Sequence, residues 1–159
     1  MTTATAAKYL TFALGNEEYA VGVLKVREII KMMDITAVPQ VPPYVKGVVN
    51  LRGRVIPVVD LRLKFGLPAV EYSERTCIVV VEPGLQDGAA LMGLIVDAVS
   101  DVLTIATDDL TDAADVCGSK EPGYVESLAR VKGRVKILLN IDRLLLSDGG
   151  NFARAAQLS

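Results

Sequence analysis

The 159 residues are 51% hydrophobic but only 5% aromatic, with no Trp, which fits one domain with an aliphatic core. Lys and Arg number 17 against 19 Asp and Glu, a formal charge of −2 with no basic stripe, and this excludes the electrostatic footprint of a nucleic-acid binder. The chain has no His, so Ser-His and Cys-His catalysis and His-ligated metals are excluded, and Cys77 and Cys117 lie outside any CxxC spacing.

The first residues, MTTATAAK, lack the apolar segment of a signal peptide. The longest apolar run, Ala89 to Val96, is far below the roughly 20 residues of a membrane span. A soluble cytoplasmic protein without direct membrane insertion is expected. No phosphate-binding glycine motif occurs, and no cofactor is expected.

In chain order, Tyr9–Leu14 and Tyr19–Val23 read as strands joined by a turn at 15–18. Leu24–Ile30 is open to a helical turn that sets Leu24, Arg27 and Glu28 on one side. Lys31–Val38 is predicted as a strand ending in the proline-rich PQVPPY. Then comes VKGVVNLRGRVIPVVDLRLKFGL, residues 45–67: strand, tight turn with Gly53 at positive φ, strand, short helix. The return strand, Val55–Val59, is apolar on both faces, which predicts burial on both sides, or one side in the core and one against a partner. Pro57 within it predicts an edge position. Asp60 is the expected N-cap, Gly66 the stop.

Further on, Thr76–Val81 and Ala89–Val96 are predicted strands around a hairpin loop, EPGLQDG. Residues 97–103 suit a helical turn or the start of a strand, and 107–123 form an acidic loop. Residues 124–139 are again strand, turn, strand, followed by a helix from Asn140.

The 45–67 unit recurs 80 residues later, so that Arg52-Gly53-Arg54-Val55 lies over Lys132-Gly133-Arg134-Val135 and Asp60 over Asn140. AVGVLKVREII likewise lies over GLIVDAVSDVL, placing Val26 on Val99 and Glu28 on Asp101. Asn50 falls on Arg130, so Gly47, Asn50 and Pro57, with Glu28, distinguish the first copy. Two halves follow, about 9–68 and 76–146, each too small to be stable as an open sheet. Closing each into a small barrel on a shared core removes the edges, and the groove between them becomes the expected binding surface.

Asp60 at the end of an apolar strand also fits the phosphoacceptor of a receiver domain, but the early acidic residues such a domain needs are missing, and a helix cap is the simpler role. Asp108, Asp109, Asp112 and Asp115 lack the spacing of a calcium loop and read as a solvated stretch. Glu28 and Arg52 are charges in an apolar context. They are either solvated separately or, as we predict, within salt-bridge reach in a groove.

LGNEEYAVGVLKVREI, VKGVVNLRGRVIPVVDLR and GLIVDAVSDVL, in that order from about Tyr9 to Leu146, resemble the CheW family of bacterial chemotaxis coupling proteins. The resemblance implies a mainly β fold: two five-stranded SH3-like β-barrels related by the repeat and packed on a shared apolar core, with short helices. It implies a single domain over 1–159, with sub-barrels near 9–68 and 76–146 and tails at 1–8 and 147–159. It also implies a non-enzymatic scaffold joining the signalling tips of chemoreceptors (methyl-accepting chemotaxis proteins) to the regulatory domain of the histidine kinase CheA, in membrane-associated arrays. Position by position, the coupling determinants carry over to Val26, Glu28, Gly47, Asn50, Arg52 and Gly53, with Val99 as a further candidate for the receptor groove. Gly22 departs from the family pattern, which has an acidic residue there. The competing classes are a small-ligand-binding β-barrel, which requires an apolar internal pocket, and a receiver phosphorylated on Asp60.

Overall fold

The computed structural model describes residues 6–82, 91–112 and 124–146. The elements are β1 (Ala6–Leu14), β2 (Glu17–Gly22), β3 (Val26–Lys31), β4 (Val45–Leu51), β5 (Arg54–Asp60), α1 (Leu61–Lys64), β6 (Cys77–Val81), β7 (Met92–Val96), β8 (Ala98–Ala106), β9 (Leu110–Asp112), β10 (Val125–Val131), β11 (Arg134–Leu139) and α2 (Ile141–Leu146). They form two sheets, six-stranded in the order β8-β1-β2-β11-β10-β9 and five-stranded in the order β3-β6-β7-β5-β4. The architecture is two small SH3-like barrels, mainly β with short helices.

The repeat extends to the irregularities. β3 and β8 each carry a bulge, with Arg27 and Ser100 as the unpaired residues. β4 and β10 bulge at Lys46 and Glu126. Both hairpin turns place two residues at positive φ, Arg52 (52°) and Gly53 (86°) in one, Lys132 (51°) and Gly133 (78°) in the other. Two such residues in succession are the signature of a type I′ turn, whose twist matches that of the strands. The Asp60 side chain accepts from the Arg62 and Leu63 amides, and the Asn140 side chain from the Arg143 amide, so both helices start on a polar cap. Even β9 has its partner, a single bridge between Thr36 and Val48.

Matched strand by strand, the two sheets have the same order, but neither is built from one half of the sequence. β1 and β2 lie in the sheet of β8–β11, and β6 and β7 lie in the sheet of β3–β5. The halves 9–68 and 76–146 thus exchange their first hairpins, and the division into sheets differs from those sequential boundaries. Parallel ladders seal the exchange: Val58–Asp60 on Gly93–Ile95, and Lys136–Leu138 on Glu18–Ala20.

The exchange explains strands apolar on both faces. Along β6, Ile78 and Val80 fill the five-stranded barrel with Val49, Ile56, Val58 and Ile95. Val79 and Val81 point the other way, into a core shared by both sheets, with Leu10, Phe12, Leu14, Val59, Leu94, Leu139 and Leu144. The six-stranded barrel is filled by Ala20, Ile105, Ala129 and Leu138. Each large aliphatic side chain removed from water contributes about 1.5–3 kcal/mol.

Several expectations are corrected. Leu24–Ile30 is not a helical turn: a 3₁₀ turn covers Val23–Lys25 and β3 follows, because the bulged pairing with β6 claims Val26 onward. Residues 32–38 form no strand; Met32, Met33 and Ile35 pack onto the barrel core without a ladder. Pro57 is not on an edge strand, since β5 lies between β7 and β4. The parallel ladder to β7 begins at Val58, so Pro57 stays outside it. Residues 98–106 are strand throughout. Residues 83–88 of the EPGLQDG loop, Asp115, Cys117 and the C-terminal tail lie outside the described residues.

Candidate functional site

A groove of about 430 Å³ is lined by Val26, Arg27, Glu28, Leu51, Arg52, Arg54, Ile56 and Leu91. All eight belong to β3, the β4–β5 hairpin or the residue preceding β7, so the groove opens at one end of the five-stranded barrel and not between the barrels, as the repeat suggested. β3 and β4 are the two edges of that sheet, and the groove lies where they approach. Its floor is aliphatic and its rim is charged.

Glu28 and Arg52 meet across the rim, the Arg52 guanidinium donating to the Glu28 carboxylate. Arg52 is 70% exposed and Glu28 32%. The pair therefore contributes little to stability, typically about 0.2–1 kcal/mol, and acts chiefly to fix the shape and charge of the rim. Arg27, the bulged residue of β3, also lines the groove and pairs with Glu82 at 3.0 Å.

Of the other sequence candidates, Asn50 and Gly53 support the turn that carries Arg52. The Asn50 side-chain oxygen accepts from the Gly53 amide at 2.9 Å, which holds both positive-φ residues in place. Gly47 lies below. Its φ is 142°, and a Cβ there would stand 2.0 Å from the Thr36 carbonyl oxygen, so glycine is what lets the 36–37 segment cross β4. Val26 lines the groove and also packs against the shared core. Val99, its repeat counterpart, is in β8 of the other sheet and does not line the groove. Gly22 ends β2 just before the 3₁₀ turn, and a Cβ there would meet nothing within 4 Å.

Sequence reasoning missed Arg27, Arg54, Leu51, Ile56 and Leu91. The signal for Arg54 was its place beside the Arg52-Gly53 turn.

Behind the groove, polar clasps tie the halves together. Arg62 binds Asp97 through Nε at 2.8 and 3.0 Å and Nη2 at 2.8 Å, while the Gly15 amide donates to the same carboxylate at 2.8 Å. Burial alone would raise the Asp97 carboxyl, but the hydrogen bonds from Arg62 and Gly15, with the Arg62 charge, bring it below its usual range. In the other barrel Lys136 donates to Glu18 and Ser100 adds a bond at 2.8 Å; the Lys136 bond is the main reason Glu18 titrates low. Lys64 lies over the rings of Tyr44 and Tyr124, 4.3 and 5.1 Å from their centroids. These two tyrosines are repeat counterparts, each accepting through its carbonyl from the amide of the following cap, Asp60 or Asn140.

Asp60 is buried. Besides the two helix amides it accepts a bond from the Tyr72 hydroxyl at 3.0 Å; burial first, then this carboxylate, pushes the phenol far above its usual range. Cys77 is half-buried in β6, and burial pushes its thiol up, away from the reactive thiolate. Asp108 and Asp109 lie in a 3₁₀ turn and Asp112 ends β9. Among the described residues no group of three metal-ligating side chains occurs, and no helix is long and apolar enough to cross a membrane.

Comparison with known proteins agrees with this architecture. Residues 8–148 match the CheW-like domain family. The chain is 38% identical over 141 residues to the chemotaxis protein CheW of Klebsiella aerogenes, covering 89% of this chain and 82% of that protein. It is 35% identical over 151 residues to the chemotaxis protein CheW of Rhizobium meliloti, covering 90% and 95%. Among solved structures, the scaffolding protein TtCheW from Thermoanaerobacter tengcongensis superposes with a TM-score of 0.80 at 31% identity, over 91% of this chain and 96% of that one. Alike in sequence over nearly all its length and alike in its paired barrels, the chain belongs to the CheW-like family, whose members are non-enzymatic chemotaxis adaptors.

Proposed function

We propose that the chain couples the cytoplasmic tips of chemoreceptors to the histidine kinase CheA, and is recruited from the cytoplasm to membrane-associated receptor arrays. The observation that carries this reading is the groove itself, an aliphatic floor of Leu51, Ile56 and Leu91 behind the Glu28–Arg52 rim. An apolar patch with a polar rim is the usual composition of a protein docking surface. In this reading the barrel end engages the kinase's regulatory domain, and the receptor tip occupies a second surface that includes Val99. Holding both partners at once brings ligand-dependent changes in the receptor to the kinase without chemistry on the adaptor.

The competing classes gain no support. A small-ligand barrel needs an open interior, whereas both barrels are filled by buried aliphatic side chains. A receiver needs an accessible phosphoacceptor, whereas Asp60 is buried and committed to two amides and the Tyr72 hydroxyl.

The test is co-purification with a receptor signalling-tip fragment and a CheA regulatory-domain fragment. Native protein should form both binary complexes and the ternary one, and Glu28→Ala and Arg52→Ala should weaken the kinase complex. Normal assembly by both variants would remove the site assignment; failure of the native chain to bind either fragment would remove the coupling role.

A further inference from the structure

The residues that line the groove have counterparts in the other barrel. The matching bulges set Val26, Arg27 and Glu28 over Val99, Ser100 and Asp101. The matching hairpins set Arg52, Arg54 and Ile56 over Lys132, Arg134 and Lys136. Following the Val58–Gly93 pairing back along both strands puts Ile56 beside Leu91, where the other sheet has Lys136 beside Glu18.

The two surfaces differ in what occupies that last position. In the six-stranded barrel it holds a carboxylate: Glu18 accepts from Lys136 and from Ser100 at 2.8 Å, and Arg134 is near enough to favour its ionised form. In the five-stranded barrel the corresponding pair is aliphatic, Ile56 and Leu91. Lys136, the cation that pairs Glu18, is itself replaced by Ile56, but Arg52 and Arg54 keep the positive charge of Lys132 and Arg134. Arg27 and Arg52 have acidic partners, but Arg54, the counterpart of Arg134, makes no ion pair among the described residues. The groove lining thus holds three arginines against one glutamate in a chain whose net charge is −2.

We infer that the partner supplies a carboxylate for Arg54. On the coupling role proposed above, the kinase's regulatory domain seats an aliphatic side chain on Leu51, Ile56 and Leu91 and sets an adjacent Asp or Glu against Arg54. The bound partner then sets a carboxylate against Arg54, where the other barrel has Glu18, paired by Lys136, within electrostatic reach of Arg134. Arg54 is then a specificity determinant, selecting partners with an acidic residue beside the apolar anchor.

The test measures binding of the CheA regulatory-domain fragment to the native chain, Arg54→Lys and Arg54→Glu over a range of salt concentrations, with the receptor-tip fragment as a parallel arm. Arg54 is exposed, so circular dichroism should be the same for all three. Arg54→Glu should weaken the kinase complex about tenfold or more and flatten its salt dependence, while Arg54→Lys should keep most of the affinity. Native-like affinity and salt dependence for Arg54→Glu overturn the inference and leave the coupling role standing. A loss confined to the receptor-tip fragment overturns the assignment to the kinase. A native chain that binds no kinase fragment overturns the coupling role and this inference with it.

Discussion

Arg52 reaches Glu28 from a left-handed backbone position, with φ of 52° in the residue that carries the guanidinium. A long side chain is uncommon there and raises the energy of the turn, whereas Asn tolerates that conformation well. The sequence places this cation at the turn where geometry alone would favour Asn or Gly, so its position serves the rim of the groove.

Arg52→Asn separates these two effects. It relieves the backbone and removes an exposed ion pair, two changes of opposite sign and each of about 0.5 kcal/mol. Urea unfolding should therefore shift by less than about 1 kcal/mol, while affinity for the CheA fragment falls. A loss of several kcal/mol in stability would show that the pair belongs to the fold and not to the binding surface.

Gly47→Ala should be costly. A methyl group at 2.0 Å from the Thr36 carbonyl forces two backbone segments apart, and the bridge between Thr36 and Val48, with hydrogen bonds of 2.8 and 2.9 Å, breaks with it. We expect destabilisation of more than about 2 kcal/mol in urea unfolding. A neutral effect would mean that the 36–37 segment moves away freely, and any binding defect at Gly47 would then need another cause.

These residues also show what local chemistry can reveal. Asp60 and Asn140 were legible as caps because each accepts from amides within three residues of itself, and Gly53 as a turn residue because its positive φ is a local demand of the turn. The repeat was legible because both copies keep that chemistry. The exchange of hairpins was not legible: Val79 and Ile78 look alike in sequence, yet one enters the shared core and the other its own barrel. Apolar strands buried on both faces carry no mark of which sheet they join. Pro57 misled for a related reason, since its meaning depends on where the β7 ladder begins. Arg54 lay over Arg134 in the repeat, but its place on the groove depends on β3 and Leu91 meeting the β4–β5 hairpin in space.

Acid should loosen the molecule at its clasps. The Asp97 and Glu18 carboxyls both titrate below their ordinary range in the folded chain. A depressed folded pKa adds stability that is complete above the unfolded value of about 4 and is lost as pH falls through the folded value. Unfolding free energy should thus fall steadily below about pH 4. Asp97→Asn should cost about 2 kcal/mol near neutrality, since it weakens the bonds from Arg62 and Gly15, and should flatten the acid limb. An acid limb unchanged in both Asp97→Asn and Glu18→Gln would place the titration elsewhere.

The exchanged hairpins make the two halves dependent on each other. Residues 69–75 are exposed and join α1 to β6 without a strand, so the chain can be divided there. A fragment of 1–75 keeps β3–β5 but loses β6 and β7, which complete their sheet; a fragment of 76–159 keeps β8–β11 but loses β1 and β2. Each would expose strand edges and the apolar faces that now form the shared core. Neither should show cooperative thermal unfolding alone. Mixed in equal amounts they should regain the far-ultraviolet spectrum of the intact protein, with a Tm that rises with concentration because folding has become bimolecular. A single fragment that melts cooperatively at a concentration-independent Tm would show that one half closes its own barrel, contrary to the parallel pairings of β5 with β7 and β11 with β2.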